Sequence, residues 1–350
     1  MNVTSAGLTL PWLEPVLHQA ASLRQAHAVL LQGAVGDGLY EAARAISQAW
    51  LCEDVNGVQA CGRCTACHLV GQGLHADLCL LLPEALRVQL GLTSVDGDEG
   101  SGDGGKSTRR KPSRQIRIDD VRGLVDWIVT TSSRGRAKVA LIHPAEALNV
   151  QAANALLKTL EEPPRGARLL LSCAEPSRLL PTLRSRCQVV RLPPPTAPAA
   201  AAWLATQGVA DAGVLLAAAS GRPLEAAALA AAGIDARAWT ALPMAARAGQ
   251  GAAVAGWPLT RVIDALQKLC HDALALSHGA APRFYPAASM PPPPSALALA
   301  DWGRELNQIA RRADHPWSEP LLVDALMQRA QRAWTAAPPS LARRLDTLAP

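Results

Sequence analysis

Four cysteines are the first residues of this chain whose types and spacing could do chemistry. Cys52, Cys61, Cys64 and Cys67 follow the arrangement C-x8-C-x2-C-x2-C. Tetrahedral zinc takes four thiolates at about 2.3 Å, and CxxC turns supply ligands from one tight loop while a more distant cysteine closes the site. Four protein ligands leave no open position, so the expected Zn2+ is structural rather than catalytic. Free thiols or a redox CxxC are the alternative readings of the same residues. Cys79, Cys173, Cys187 and Cys270 are expected to be small buried apolar residues.

Ahead of the cluster, Gly33 to Tyr40 (GAVGDGLY) falls on the phosphate-loop template G-x-x-x-x-G-K-[ST]. The lysine that would neutralise the β- and γ-phosphates is Leu39, and the hydroxyl that would hold magnesium is Tyr40, too bulky for that task. The first lysine of the chain is Lys106, so none upstream can substitute. Asp37 adds a negative charge inside the loop. Gly33, Gly36 and Gly38 would then serve backbone shape alone, and no ATP binding is expected.

A second stretch, Gly100 to Ser107 (GSGDGGKS), matches the same template letter for letter. A working phosphate loop follows a buried strand and opens a helix. This one follows Asp96 to Glu99 and runs into Arg109, Arg110, Lys111 and Pro112, so it reads as a linker. The loss seen at Leu39 and Tyr40 recurs after Lys138 to Ile142 (KVALI). An Asp for magnesium and a Glu to activate water belong there; His143 and Pro144 occupy those places. Glu146 lies two residues further on and reads as an exposed residue at a helix start.

The elements that must carry these residues alternate. A helix is predicted over Pro15 to Ala26, a buried strand over His27 to Gln32, and a helix over Leu39 to Leu51. Leu78 to Leu82 and Lys138 to Ile142 read as strands. So do Arg168 to Ser172 and Gln188 to Leu192. Asp119 is the predicted N-cap of a helix through Val129, and a helix over Glu146 to Leu160 stops at Pro163 and Pro164. Alternation of this kind implies a parallel α/β sheet with flanking helices. Residues 93–115 are rich in Gly, Asp and Ser and then basic, and read as a flexible insertion. Its basic run, Lys106, Arg109, Arg110, Lys111, Arg114 and Arg117, could touch phosphates but suits a solvated loop equally. After Pro193 to Pro195 the pattern turns all-helical. Short Ala-rich helices reach about Ile234, and longer ones follow over Thr260 to Leu276, Ser295 to Arg312 and Ser318 to Trp334, with a Pro-rich linker at Pro282 to Pro294.

Length and composition agree. At 350 residues two or three domains are expected, and 49% hydrophobic with 18% charged residues suits a globular, mostly helical protein. The net charge of +5 is too mild to announce nucleic acid by itself. No run of about eighteen uninterrupted apolar residues occurs, so a cytoplasmic protein with no membrane partner is expected.

The run Asn154 to Pro164 (NALLKTLEEPP), a strand ending in Ser172, and Leu183 to Cys187 (LRSRC) resemble the clamp-loader branch of the AAA+ proteins. A four-cysteine module straight after the phosphate loop narrows the resemblance to clamp-loader subunits of bacterial DNA polymerase III. It is strongest over residues 27–70 and 115–192, and reappears at His315 to Leu326 (HPWSEPLLVDAL). The resemblance implies an AAA+ domain over 1–194 with the zinc module at 52–67, a small helical lid over 195–235, and a helical oligomerisation collar over 236–350. It also implies a role for Arg186, flanked by Ser185 and Cys187: an arginine finger reaching in trans into a neighbour's ATP site. Where motor subunits carry a nucleotide-sensing arginine, this chain has Leu224, with Arg222 out of register. The implied subunit would be non-hydrolysing, assembled as a hetero-oligomer with motor (gamma/tau) and delta subunits, and would act with them on a sliding clamp and primed DNA. The rival readings are an active ATPase motor subunit and a zinc-dependent nucleic-acid-binding protein.

Overall fold

A computed structural model describes residues 10–23, 26–54, 59–92, 112–312 and 318–335. The chain divides at Pro194 and Pro195 into two compact units.

The first unit is built on one parallel sheet. Its strands are β1 (Ala28–Gln32), β2 (Leu78–Leu81), β3 (Lys138–Ile142), β4 (Ala167–Cys173) and β5 (Gln188–Arg191), in the spatial order β2-β3-β4-β1-β5. The three inner strands, β1, β3 and β4, are the near-continuous apolar runs, as strands covered on both faces must be. Ile142 pairs in register with Leu171, and Leu31 with Ser172, which brings the strand ends carrying the candidate residues to one edge.

Period-two alternation sorts the strand side chains between two faces. On one face Leu30, Ala140, Ile142, Leu169 and Leu171 pack with α5 (Ile118–Ile128) and α6 (Val150–Glu161). On the other, Val29, Leu31, Val139, Leu141 and Leu170 are fully buried, and α2 (Leu39–Leu51) lies against the sheet. The helix α1 (Glu14–Ser22) packs on α2 and β5, and two short helices, α3 (Thr65–Gln72) and α4 (Glu84–Gln89), precede and follow β2 in the chain.

Several local expectations need correction. The helix-start signal at Asp119 belongs to its neighbours: Arg117 is the N-cap of α5, and its N–H donates to the Asp120 carboxylate at 2.8 Å. No single helix runs from Glu146 to Leu160. Residues Ala145–Ala147 form a separate 3-10 turn, and α6 starts after Asn149, whose side chain accepts from the N–H of Ala152 at 2.8 Å. Glu146 is half-buried rather than exposed. Of the four cysteines outside the cluster, Cys173 and Cys270 are buried, but Cys79 and Cys187 are only partly so. The GSGDGGKS stretch, most of the 93–115 insertion with Lys106, Arg109, Arg110 and Lys111, and His315 to Trp317 lie outside the described residues. Arg114 and Arg117 are exposed.

The second unit is all-helical among the described residues. Three short helices, α8 (Ala197–Thr206), α9 (Ala212–Ala218) and α10 (Pro223–Ala231), precede α11 (Ala236–Arg247), α12 (Leu259–Ser277), α13 (Ala296–Ala310) and α14 (Glu319–Thr335). The central α12 buries Val262, Ile263, Leu266, Leu269, Cys270 and Ala273 against α13 and α14. Asp272, fully buried on α12, accepts from the N–H groups of Arg283, Phe284 and Tyr285 at 2.9, 2.7 and 2.9 Å. That carboxylate ties the Pro-rich segment to the helix. Among the described residues no single helix is long and apolar enough to cross a membrane.

Candidate functional site

The Gly33 to Gly38 turn joins β1 to α2, the strand-loop-helix context its pattern requires. Gly36 and Gly38 have φ of 93° and 94°, in the left-handed region that favours glycine. Two of the three glycines also answer to close packing. A Cβ on Gly33 would lie 2.7 Å from the Leu192 Cβ, and one on Gly38 would lie 2.6 Å from the Leu10 Cδ1. Leu10, Trp12 and Leu13 are buried, and the Trp12 indole N–H donates to the Asp37 carbonyl at 2.7 Å. An apolar N-terminal strap is thus fastened onto the loop.

Leu39 opens α2 and is buried, offering no charge to a phosphate. Beside it, the Tyr40 ring sits 5.0 Å from the His143 ring at 39°. His143 follows directly on β3, and its Nδ1 is 2.7 Å from the Ser172 Oγ of β4. Burial holds the imidazole down at about 4, against the opposing influence of the Glu146 carboxylate, so it is neutral near pH 7. Burial also pushes the Tyr40 phenol up, partly offset by Arg44. Glu146 turns back toward the end of β4, where its Oε1 accepts from the Ala174 N–H at 3.0 Å. Sequence spacing missed that contact because it joins two elements across the sheet edge. Tyr40 and His143, the two residues that the sequence pattern sets against a magnesium hydroxyl and a magnesium carboxylate, are thus two uncharged rings in contact.

Arg186 stands just beyond the short helix α7 (Pro181–Arg184). One guanidinium amino group donates to the Thr182 carbonyl at 2.8 Å, and the other pairs with Glu161 at the end of α6. Ser185 Oγ donates to the Thr182 carbonyl at 3.1 Å, and the Cys187 thiol, pushed up to about 12 by burial, donates to the Leu183 carbonyl. In the second unit Leu224 is half-buried in the first turn of α10, and Arg222 is the exposed N-cap of that helix.

The four clustered cysteines converge. Their sulfurs all lie within 4.8 Å of one another, with Cys52–Cys64 at 3.9 Å and Cys61–Cys67 at 4.0 Å. Thiolates at about 2.3 Å from a tetrahedral ion stand about 3.8 Å apart, so the donor set fits zinc. The N–H groups of Cys61, Cys64 and Cys67 point at the sulfurs of Cys52, Cys61 and Cys64 at 3.3 to 3.4 Å, an arrangement that favours thiolate. The N–H groups of Arg63 and Cys64 lower the Cys61 thiol to about 6, whereas burial raises Cys52 and Cys67. Cys52 ends α2, and Cys64 and Cys67 cap and open α3 (Thr65–Gln72). Arg136 donates to the Cys52 carbonyl and Gln48 to that of Cys67, which ties the module to the sheet domain.

The model of the family described as DNA polymerase III, delta subunit, matches residues 13–196. The chain belongs to the DNA polymerase III delta-subunit family. A relative from Pseudomonas aeruginosa named DNA polymerase III subunit delta' is 40% identical over 56% of this chain and 52% of its own length. One of the same name from Escherichia coli is 35% identical over 59% and 56%. The DNA polymerase III subunit tau of Escherichia coli is 32% identical over 46% of this chain and 20% of its own. The chain spans about half the length of the delta-prime relatives it matches. A solved gamma subunit-related protein of DNA polymerase III from Thermotoga maritima covers 92% of this chain and 99% of its own at 16% identity, with a TM-score of 0.43. The matched residues include the loop, the cysteine cluster and Arg186, so this family's sequence pattern runs through all three candidate sites.

Proposed function

We propose that this chain is a delta-prime-type subunit of a bacterial clamp loader that hydrolyses no ATP itself and lends Arg186 to a neighbouring motor subunit. The observation that carries the reading is the contact of Tyr40 with His143. Phosphoryl transfer is catalysed mostly by placed positive charge and metal. A buried leucine, a phenol and a neutral imidazole place neither. Leu10 and Leu192 against the loop glycines further support a loop kept for packing rather than for phosphate.

Arg186 lies in the Ser-Arg-Cys run and is partly exposed, as a residue offered to a neighbour must be. A guanidinium beside a γ-phosphate stabilises charge that develops in the transition state, and in trans it is worth roughly three to five powers of ten at its site. The AAA+ domain over 1–194 would provide ring contacts, 195–235 a lid, and 236–350 a collar for gamma/tau and delta neighbours. The assembly would open the sliding clamp and place it on primed DNA in the cytoplasm. Zn2+ on Cys52, Cys61, Cys64 and Cys67 would hold the module's fold, taking no part in turnover.

Two measurements test the reading. Titration of the isolated chain with Mg-ATP should give no saturable binding; micromolar affinity would overturn it. Arg186→Ala should lower ATP turnover in a complex reconstituted with motor and delta subunits, and unchanged turnover would remove the finger.

A further inference from the structure

The Arg186 side chain is already engaged within its own chain. Its two terminal amino groups reach the Thr182 carbonyl and the Glu161 carboxylate. Glu161 is the last residue of α6, and Glu162 caps that helix. A helix C-terminus carries partial negative charge, so two acidic residues there are unfavourable unless a cation sits beside them. Lys158 in the last turn of α6 supplies one such charge, and Arg186, paired directly with Glu161, supplies another. Both partners remain accessible, with side-chain exposures of 33% for Arg186 and 50% for Glu161, so the pair is solvent-screened and readily exchanged.

We propose that Glu161 is an intrachain latch for Arg186, holding its guanidinium on the end of α6 until a neighbour's γ-phosphate displaces the carboxylate. The inference rests on the reading of Arg186 as a finger in trans. While the pair is closed, the guanidinium's charge is offset by a carboxylate and does little for a phosphate opposite. A phosphate dianion competes for the same N–H groups with more charge. Thr182 is a neutral partner and need not be lost in the exchange. The finger is thus engaged more fully when nucleotide fills the adjoining site.

The test is ATP turnover in the reconstituted complex, comparing wild type with Glu161→Gln, Arg186→Ala and the double variant. Opening the latch is expected to raise kcat/KM about two- to five-fold, the range for losing an exposed ion pair. A defect in folding would lower it instead. The double variant should match Arg186→Ala alone. Glu161→Asp, which keeps the charge on a shorter stem, should fall between wild type and Glu161→Gln. An unchanged or lowered kcat/KM for Glu161→Gln, or a gain that persists without Arg186, overturns the latch. If Arg186→Ala itself leaves turnover unchanged, the finger reading fails. If Arg186→Ala lowers turnover and Glu161→Gln does not raise it, only the latch fails.

Discussion

The ring of Tyr40 at the start of α2 and the ring of His143 at the end of β3 lie 5.0 Å apart. In the proposed reading each stands where an ATPase would place a magnesium ligand, and neither ring carries a charge near pH 7. Restoring the loop alone should therefore fail. Leu39→Lys with Tyr40→Thr is expected to give no measurable ATP hydrolysis in the isolated chain, because His143 and Pro144 still supply no carboxylate for magnesium or for the attacking water. Turnover by that variant would show that the β3 end is not limiting.

The imidazole of His143 makes stability depend on pH. Its ordinary value is 6.5 and burial lowers it to about 4 in the folded chain. The unfolded chain then binds the proton first as pH falls, so stability drops from near pH 6.5 and the loss is complete below about 4. Between pH 7 and pH 5 this one group should remove about 2 kcal/mol. Urea denaturation at the two pH values, repeated with His143→Gln, checks it. The variant should lose that much less.

The cysteine module makes a prediction about metal. Freshly purified protein should hold about one zinc per chain, as a closed four-thiolate site requires. Cys64→Ser should abolish retention and expose the loop around 59–67 to protease while leaving Arg186-dependent turnover in the complex. Less than about half an equivalent in the wild type would count against the closed site.

In the helical unit, Asp272 is the carboxylate with the most to lose. Its oxygens are fully buried and accept three backbone N–H groups from residues 283–285. Replacing it with Ala orphans those donors and should cost about 3 kcal/mol or more. Asp272→Asn retains an acceptor and should cost less. Chemical denaturation separates the two.

Gly38 tests the strap over the loop. At φ of 94°, with a Cβ only 2.6 Å from Leu10 Cδ1, Gly38→Ala combines backbone strain with a clash. A loss of about 1–3 kcal/mol is expected. Leu10→Ala in the same chain should recover part of it.

What could be read from sequence divides along physical lines. The strands β1, β3 and β4 were legible because burial on both faces demands apolar runs. The cysteine cluster was legible because metal ligation fixes residue type and spacing together. Leu39, Tyr40, His143 and Pro144 could be noticed because each interrupts a pattern. The strap of Leu10 and Trp12 on the loop, the contact of Glu146 with Ala174 and the pairing of Glu161 with Arg186 leave no local signature. Each joins residues at least 25 positions apart, and only the assembled sheet brings them together. The start of α6 after Asn149 is hidden for a smaller reason: Ala145 and Ala147 continue the apolar pattern, while extended backbone at Leu148 and Asn149 separates them from the helix that the Asn149 side chain caps.

The most direct test of the central claim is ATP turnover by the complex of this chain with the proposed motor and delta subunits, measured with wild type and with Arg186→Ala. Loss of the share of turnover that belongs to the site facing this chain, with assembly unchanged, is the expected result. Equal turnover by the two complexes would contradict it.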